Sequence, residues 1–303
     1  MRFLCLCMSP ALDATVTLPR APEGAGEIFK DVAEAVNVGG KAVNVARWLA
    51  LRGAEVACGG LLGEENDGPF VRELARCGIA DRFVRVPGET RRNEMVVWPG
   101  GGFKLNRPAF PSLPPDFDAM RALAPAAGPA GVAILSGSLP SALPQDFYRR
   151  AVAALKAQGW TTVLDASGEA MRLGLEAGPD LVKPNAEECA PLVGFVPTTA
   201  EGFARATARL REKAAHAIIS DGGAGAWFDG AFVPAPPVAV LDTTAAGDTL
   251  LAEYCWRAWG DGTAAAPERN RWAVAAGSAA CTMPGGAPPP PGLVEKLARD
   301  DGR

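Results

Sequence analysis

Histidine is almost missing from this sequence, since the 303 residues contain only His216. A catalytic triad or a metal centre built on histidine would have to rest on that single residue. His216 lies where a predicted helix leads into a predicted strand, and this position favours contact with the helix C-terminus over catalysis. The scarcity of histidine therefore argues against triad hydrolases and against histidine-rich metal sites.

Paired cysteine motifs, an excess of basic charge and long apolar runs are missing as well. The seven cysteines are odd in number and scattered, without two Cys-x-x-Cys units, so neither a disulfide scaffold nor a zinc site is expected. A net charge of −4 and a pI near 5.3 offer no basic surface for nucleic acid, and the apolar runs are shorter than a membrane span. No signal peptide is recognisable. We therefore expect a cytoplasmic protein without nucleic-acid or membrane partners.

The chain does contain a regular alternation of short apolar strands and amphipathic helices, which is typical of an α/β protein. Strands are predicted at 2–8, 54–62, 82–86, 132–135, 161–165, 181–183 and 217–220. Helices are predicted from 41, at 68–77, within 111–129, at 145–157, 169–176, 200–213, from 246 toward 259, at 272–281 and at 293–298. With 48% hydrophobic residues, the chain can bury a large core. We predict one α/β domain over 1–303.

Two segments interrupt this alternation. Residues 12–38 contain short β-type runs, including 28–30 and 36–38, separated by proline and glycine. Residues 88–108 resemble a hairpin that no helix follows. Together they predict a small accessory sheet.

Polar residues follow several predicted strands at their carboxyl ends, which is where open α/β sheets bind ligands. Asp13 comes just after the first strand, and a run of small polar residues begins at Ser136. Asn185 and Glu188 are three residues apart at a helix start, so they can share a hydrated cation. Their spacing fits a helix capping box equally well.

Residues 241–252 combine small residues with a carboxylate where a polar loop turns into an apolar helix. The N–H groups of a first helical turn have no intrahelical acceptor, so they can bind an anion, with Asp248 beside them as a base. The alternative is that Asp248 is an ordinary cap, which stabilises a helix by about 1 kcal/mol. The stretch alone leaves both interpretations open.

Glycines and arginines supply three weaker signals. Gly39 and Gly40 open a helix and permit close approach of a ligand, although such a pair is also a common turn. Arg91 and Arg92 match phosphate oxygens in a fork, although exposed arginines on a strand are often only solvated. The glycine-rich turn at 221–227 lacks the Gly-Lys-Ser/Thr of a Walker A loop.

Taken together, these motifs resemble those of the PfkB (ribokinase-like) carbohydrate kinases, and more narrowly of the branch that phosphorylates ketohexose phosphates. The resemblance covers nearly the whole chain in the family's order. The motifs that carry it are PALD at 10–13, GGKAVNVA at 39–46, TRRN at 90–93, SGSLP at 136–140, VKPN at 182–185 with Glu188, and DTTAAGD at 242–248. It implies a doubly wound, mostly parallel sheet flanked by helices and a small β-sheet lid, built from about 12–38 and 88–108, that often mediates dimerisation. It also implies that ATP and Mg²⁺ are used to phosphorylate a sugar hydroxyl.

The resemblance further implies a role for each matching residue. Asp248 corresponds to the base that takes the proton of the acceptor hydroxyl, and the N–H groups of Ala245, Ala246 and Gly247 to the site that holds the moving γ-phosphoryl charge. The residues that would contact the acceptor are Asp13, Gly39, Gly40, Lys41, Asn44, Arg91 and Ser138. Among them, Arg91 and Ser138 would contact the phosphate that the acceptor already carries. The nucleotide side would be formed by Lys183, Asn185, Ser220, Gly222, Gly225 and Ser278. Glu188 and Asn185 would organise Mg²⁺ through water, and a K⁺ loop would lie near Asp242, Thr244 and Gly285.

Four residues depart from the family's pattern. Ala245, Ala42 and Glu253 replace glycines that are usual there, and Lys104 stands where this branch often has an acidic residue. If Ala245 needs a positive φ, its methyl group costs about 1 kcal/mol. Such changes around one pocket would alter the acceptor or slow turnover.

Three functions stay open at this point. The first is a kinase for fructose 1-phosphate, fructose 6-phosphate or tagatose 6-phosphate, which the motifs do not distinguish. The second is a kinase for an unphosphorylated sugar or nucleoside. The third is a non-catalytic regulator that binds sugar phosphates on the same scaffold.

Overall fold

The computed structural model of the chain describes residues 1–30, 32–110, 112–114, 117–126, 129–262 and 264–299. Its strands are β1 (Arg2–Cys7), β2 (Ala11–Thr17), β3 (Ala33–Gly39), β4 (Glu55–Gly63), β5 (Ala80–Val86), β6 (Arg92–Trp98), β7 (Gly101–Leu105), β8 (Val132–Ser136), β9 (Thr161–Asp165), β10 (Leu181–Val182), β11 (His216–Ser220), β12 (Gly225–Phe228) and β13 (Ala231–Pro234). Its α-helices are α1 (Lys41–Leu51), α2 (Gly68–Arg76), α3 (Phe147–Ala157), α4 (Gly168–Leu175), α5 (Ala190–Val193), α6 (Ala200–Leu210), α7 (Ala246–Cys255), α8 (Ala266–Ala280) and α9 (Pro291–Arg299).

Within the described residues, nine strands form one large sheet in the order β13-β12-β11-β10-β9-β8-β1-β4-β5. Its pairings are parallel from β11 to β5, whereas β12 and β13 are antiparallel additions at one edge. The chain proceeds from β1 to β4 on one side and returns to β8 on the other. A doubly wound sheet binds ligands at the carboxyl ends of the strands where this reversal occurs. The predicted α/β class, a mostly parallel sheet flanked by helices, is confirmed.

Strand β1 shows why the apolar runs fold in this way. Its side chains alternate between two cores: Phe3 and Cys5 belong to the core beneath α1, α7 and α8, whereas Leu4 and Leu6 belong to the core beneath α3 and α4. All four are fully buried. Burial of one large apolar side chain contributes about 1.5–3 kcal/mol. A strand with consecutive apolar residues from Phe3 to Cys7 therefore fits the centre of a sheet that is covered on both faces.

The accessory sheet is present, with the strand order β3-β2-β6-β7. Strand β2 pairs antiparallel with β3 and parallel with β6. Because only three residues separate β1 from β2, this sheet starts at the carboxyl edge of the large sheet. The run at 28–30, which sequence favoured as β structure, lies outside the strands.

Other predictions need correction. The hairpin of β12 and β13 was not expected, and the predicted helix within 111–129 is a 3₁₀ helix over Ala119–Ala126, with 111, 115, 116, 127 and 128 outside the described residues. The prediction of a helix C-terminal role for His216 is wrong, because α6 ends at Leu210 and His216 is the first residue of β11. Its Nδ1 lies 2.8 Å from Oδ2 of Asp229.

The seven cysteine thiols are free. Among the helices of the described residues, none is long and apolar enough to cross a membrane.

Candidate active site

A cleft of about 450 Å³ lies where the carboxyl edge of the large sheet, the accessory sheet and the first turn of α7 meet. The predicted site residues that line it are Asp13, Gly40, Lys41, Asn44, Arg91, Lys183, Asn185, Glu188, Ser220, Thr244, Ala245, Ala246, Gly247 and Asp248. The residues that line it without having been predicted as site residues are Ala11, Asn93, Lys104, Asn106 and Thr243. The predicted site residues outside its lining are Gly39, Ser138, Gly222, Gly225, Ser278, Asp242 and Gly285.

The first turn of α7 begins at Ala245, whose φ of 63° and ψ of 6° place it in the left-handed region. A methyl group in this conformation costs about 1 kcal/mol. The Ala245 carbonyl accepts hydrogen bonds from the amide and the hydroxyl of Thr249, both at 2.9 Å. The turn is thereby closed, and the Ala246 amide donates to the Thr243 carbonyl at 3.3 Å, while Ala245, Ala246 and Gly247 line the cleft.

Asp248 lies in this first turn and is only 6% exposed. Its Oδ2 accepts a 2.8 Å hydrogen bond from Nδ2 of Asn44 on α1. Burial, followed by the negative charge of Asp165, raises the pKa of Asp248 to about 6. At neutral pH the carboxylate is ionised yet more basic than an ordinary aspartate, which suits a general base.

Beneath the cleft, Asp165 is fully buried at the end of β9. Its Oδ1 lies 3.4 Å from Nζ of Lys41 and 3.3 Å from Nζ of Lys183, and its Oδ2 accepts a 3.0 Å hydrogen bond from the Ser136 hydroxyl. Burial opposes ionisation of Asp165, but the two lysines and the serine outweigh it, so its pKa is below the ordinary value. The charge of Asp165 in turn raises the pKa of Lys41 to about 12.

Sequence reasoning missed Asp165 and Ser136 as site residues. The signal was present, because both end a buried strand, and the same rule had selected Asp13. They are direct partners in the register of β8 and β9.

The accessory sheet supplies the opposite wall. Asn93 donates a 2.8 Å hydrogen bond from Nδ2 to Oδ1 of Asp13, and a Cβ on Gly39 would lie 2.0 Å from Oδ2 of the same carboxylate. Gly39 is therefore required for the placement of Asp13. Arg91 lines the cleft, whereas its neighbour Arg92 pairs with Glu34 outside it.

The Arg91 guanidinium is held in place by backbone groups. It donates to the carbonyls of Ser9 at 3.1 Å, Pro10 at 3.3 Å and Arg107 at 3.1 Å. A guanidinium has five donors, so some remain for an anion. Lys104 of β7 lines the same cleft and adds a second positive charge on this side.

Asn185 and Glu188 form a reciprocal capping box. The Asn185 amide donates to Oε2 of Glu188 at 2.9 Å, and the Glu188 amide donates to Oδ1 of Asn185 at 2.8 Å. In the described part of the chain, no group of three or more His, Cys, Asp or Glu side chains could hold a metal. The pair nevertheless fits Mg²⁺, which commonly uses one or two carboxylates together with water and substrate phosphates.

Residues predicted for the nucleotide side are only partly brought together. Lys183 and Ser220 line the cleft, and Asn185 bridges Ser220 as a β-partner. Gly225 instead has a structural reason, because at its φ of 135° a Cβ would lie 2.1 Å from the Val233 carbonyl oxygen in the β12–β13 hairpin. The remaining members, Gly222 and Ser278, lie outside the lining, as does Ser138 on the acceptor side.

Asp242, Thr244 and Gly285 are brought together around one carboxylate. Oδ1 of Asp242 accepts from the amide of Thr244 at 2.8 Å and from its hydroxyl at 2.7 Å, and Oδ2 accepts from the amide of Gly285 at 2.9 Å. The loop that was expected near K⁺ is thus closed on itself by hydrogen bonds.

Two of the departures lie away from the cleft. Ala42 and Glu253 are fully buried and do not line it. Glu253 accepts hydrogen bonds of 2.9 Å from Nε1 of Trp48 and from Nε of Arg257, and lies 3.3 Å from Nε of Arg52. We call Trp48, Arg52, Glu253 and Arg257 the Glu253 cluster. Its charges are structural, so Glu253 does not alter the acceptor pocket directly.

The cleft joins the open carboxyl edge of the sheet to the first turn of α7, and Asp248, Lys41 and Lys183 line it. This arrangement is suited to phosphoryl transfer. The family model of the pfkB family carbohydrate kinases matches residues 12–291, and the chain belongs to this family. It is an ATP-dependent carbohydrate kinase.

Relatives and a solved structure are similar to this chain over most of its length. The chain is 35% identical over 263 residues to 1-phosphofructokinase of Rhodobacter capsulatus, covering 83% of this chain and 82% of the relative. It is 32% identical over 261 residues to 1-phosphofructokinase of Escherichia coli K12, covering 82% of each. Phosphofructokinase-2 from Escherichia coli, solved in complex with potassium, superposes with a TM-score of 0.86 at 27% identity, covering 98% of this chain and 97% of that one.

Proposed function

We propose that the protein transfers the γ-phosphoryl group of ATP to a hydroxyl of fructose 1-phosphate, with Asp248 as the general base. The observation that carries this proposal is Asp248 itself: a buried carboxylate, hydrogen-bonded by Asn44, in the first turn of α7. A base must lie within reach of the acceptor hydroxyl, while the neighbouring N–H groups stabilise the charge of the moving phosphoryl group. One helical turn supplies both.

Arg91 and Lys104 support an acceptor that already carries a phosphate. Both line the cleft on the side of Asp13, which would meet sugar hydroxyls. A neutral sugar or nucleoside would leave these two charges unused. Fructose 1-phosphate is the acceptor that we favour, because the relatives at 32–35% identity are named 1-phosphofructokinases.

A non-catalytic regulator has little support. A regulator would be favoured if Ala42, Ala245 and Glu253, which replace usual glycines, disrupted the site, but Ala42 and Glu253 lie outside the cleft. Ala245 lines the cleft but keeps its backbone N–H group.

Two ions belong to this proposal. Glu188 and Asn185 would hold Mg²⁺ through water, and the ion would neutralise charge on the nucleotide phosphates. Asp242, Thr244 and Gly285 would border a K⁺ site, which is supported by the potassium complex of Escherichia coli phosphofructokinase-2. Assays with K⁺ replaced by a large organic cation would test the second ion.

We also propose that the accessory sheet, within about 12–38 and 88–108, acts as a lid and as the contact between two copies of a homodimer. Apolar side chains exposed on this part of the chain are Ile28, Val36, Met95, Phe103 and Leu105. Escherichia coli phosphofructokinase-2 has been solved in a tetrameric inhibited form, at a TM-score of 0.85 and 26% identity. Sedimentation with and without ATP would distinguish a dimer from a tetramer. A cytoplasmic location stays a prediction from the unpaired cysteines.

The proposed function is tested by coupled ADP release with phosphorylated and free sugars. Wild-type protein should use fructose 1-phosphate with the highest kcat/KM, and Asp248→Asn should lose transfer by at least about 1,000-fold while retaining sugar-phosphate binding. Full activity of Asp248→Asn would refute the mechanism.

Arg91→Ala has a matched control in Arg92→Ala. We expect Arg91→Ala to raise the KM for the phosphorylated acceptor by roughly 10- to 100-fold, as the loss of a charged contact would. Arg92→Ala should leave that KM within about twofold, because Arg92 pairs with Glu34 outside the cleft. Equal effects of both variants would argue against an acceptor phosphate at Arg91.

A further inference from the structure

Asp165 lies directly beneath the cleft without lining it. A carboxylate in such a place is costly unless opposite charges and hydrogen bonds compensate for lost water. Both of its oxygens are compensated: Oδ1 by the ammonium groups of Lys41 and Lys183, and Oδ2 by the Ser136 hydroxyl. The carboxylate is therefore fixed in orientation from both sides.

The two lysines come from distant parts of the chain and meet on the same oxygen. Lys41 is the first residue of α1, and Lys183 directly follows β10. Lysine has a flexible four-carbon stem and loses about 2 kcal/mol of side-chain entropy when fixed. A shared buried partner fixes both ammonium groups before any ligand arrives.

Both ammonium groups remain available to the cleft. Lys41 and Lys183 line it, and the side chain of Lys41 is 40% exposed. A Cβ on Gly247 would lie 3.4 Å from Nζ of Lys183, so this ammonium lies against the first turn of α7. Each ammonium has three donors, and Asp165 engages them from one side only.

We propose that Asp165 is a positioning residue of the phosphoryl transfer, which fixes the ammonium groups of Lys41 and Lys183 beside the first turn of α7. It touches neither substrate and acts through the two lysines. Because preorganised charges need no reorganisation at the moment of reaction, they stabilise the transition state more than mobile charges do. The inference rests on the proposed function, since it assumes that transfer occurs at this turn.

Asp165 also affects the base. Its negative charge is the second cause, after burial, of the raised pKa of Asp248, whereas Lys41 and Lys183 lower that pKa. Removal of the charge of Asp165 therefore acts on Asp248 in one direction only: it removes a repulsion and leaves the two lysines uncompensated. The pKa of Asp248 must then fall below about 6, and that of Lys41 below about 12.

The test is Asp165→Asn, assayed with ATP and fructose 1-phosphate across pH. We expect kcat to fall by roughly 100-fold, as on removal of one preorganised donor, with the KM for the sugar phosphate within about twofold. The acid limb of the kcat/KM profile should shift to lower pH. This shift follows from the removed charge alone, so the positioning role is measured by the loss of kcat at unchanged KM.

Asp180→Asn is the matched control. Asp180 accepts hydrogen bonds from the amide and hydroxyl of Thr162, at 2.7 and 2.9 Å, near the opposite end of the same strands. It should leave kcat and the acid limb unchanged. If Asp165→Asn does not fold, Ser136→Ala removes only the hydrogen bond to Oδ2, and we expect kcat to fall by roughly 10-fold at unchanged KM.

Two results would overturn the positioning role: a wild-type kcat in Asp165→Asn, or, if that variant does not fold, a wild-type kcat in Ser136→Ala. The proposed function fails separately, if the wild-type protein does not phosphorylate fructose 1-phosphate, and Asp248 fails as the base if Asp248→Asn keeps full activity. A loss in Asp180→Asn equal to that in Asp165→Asn would likewise refute the specific role of Asp165.

Discussion

Helix α7 packs against α1 and carries two buried carboxylates, Asp248 near the cleft and Glu253 near the opposite end. The two carboxylates differ in the charges that surround them. At the cleft end, Asp248 accepts a side-chain hydrogen bond from Asn44, and its pKa is raised to about 6. At the far end, Glu253 accepts a hydrogen bond from Arg257 and lies close to Arg52 as well. Burial and a neighbouring negative charge make Asp248 costly to ionise, whereas two guanidinium groups lie beside Glu253.

The positively charged side chains at the two ends of the helix pair also differ in what they contact. At the far end the guanidinium of Arg257 lies 3.8 Å from the ring centroid of Trp272, and that of Arg52 lies 5.9 Å from the same ring. Such stacking adds about 0.5–2 kcal/mol and leaves the cations packed against protein. At the cleft end Lys41 and Lys183 line open space. Charge therefore serves stability at one end of the helix pair and ligand binding at the other.

Backbone strain also distinguishes the two ends of α7. Ala245, with its positive φ, lies at the cleft end of α7, and the Glu253 cluster lies about two turns further along. Strain of this kind persists only where the surrounding structure fixes it. The strained residue therefore lies at the cleft end, about two turns away from the ion pairs of the far end.

The largest expected effect on stability concerns Glu253, at the end of α7 that is far from the cleft. Glu253→Gln keeps the shape but removes the buried negative charge between Arg52 and Arg257, and leaves Arg257 only the longer pair with Asp261 at 3.8 Å. The free energy of unfolding should therefore fall by about 3 kcal/mol. Its kcat at 25 °C should stay within about threefold, since Glu253 does not line the cleft. Denaturant unfolding and steady-state kinetics measure the two quantities. Glu169→Gln, which breaks an exposed pair with Arg172, should cost less than about 1 kcal/mol.

The next effect concerns Asp248 at the cleft end, where substitution should raise the free energy of unfolding rather than lower it. A pKa of about 6 against the ordinary 3.8 means that ionised Asp248 lowers the stability of the fold by about 3 kcal/mol. An unfolded chain ionises this group more readily, so the contribution of Asp248 to stability falls as pH rises from about 4 to about 6 and stays lower above. Asp248→Asn should therefore be more stable than wild type at pH 7.5, and the gain should disappear below about pH 4. Thermal unfolding across pH measures it, and a less stable variant at pH 7.5 would contradict the division.

Local patterns in the sequence were sufficient for the fold class and for the turn that carries Asp248, whereas most of the other predicted residues of the cleft lining came from the resemblance to the PfkB family. Apolar runs gave the buried strands, and glycine with small residues at a helix start gave the turn at Ala245 and Asp248. The β12–β13 hairpin escaped notice because its strands have only four residues each and follow a turn that was examined only as a phosphate loop.

The two carboxylate clusters escaped notice for a different reason. Asp165 meets Ser136 and Lys183 because β8, β9 and β10 are neighbours in the sheet, and it meets Lys41 because α1 begins beside them. No local pattern in the sequence gives these neighbours. Glu253 was expected near the pocket, whereas the packing of α1 on α7 gives it partners on the far side. Buried polar groups of this kind depend on tertiary neighbours.

The smallest expected effect tests the strain at the cleft end. Ala245→Gly removes a methyl group from a left-handed residue, and the relief of about 1 kcal/mol is partly offset by the greater freedom of glycine in the unfolded chain. We expect a gain of about 0.5 kcal/mol in the free energy of unfolding. Ala246→Gly, one residue further in the helix, should instead lose about 0.5–1 kcal/mol. Denaturant titrations of the two variants should therefore shift in opposite directions, and a loss in both would mean that the turn at Ala245 is not strained by its side chain.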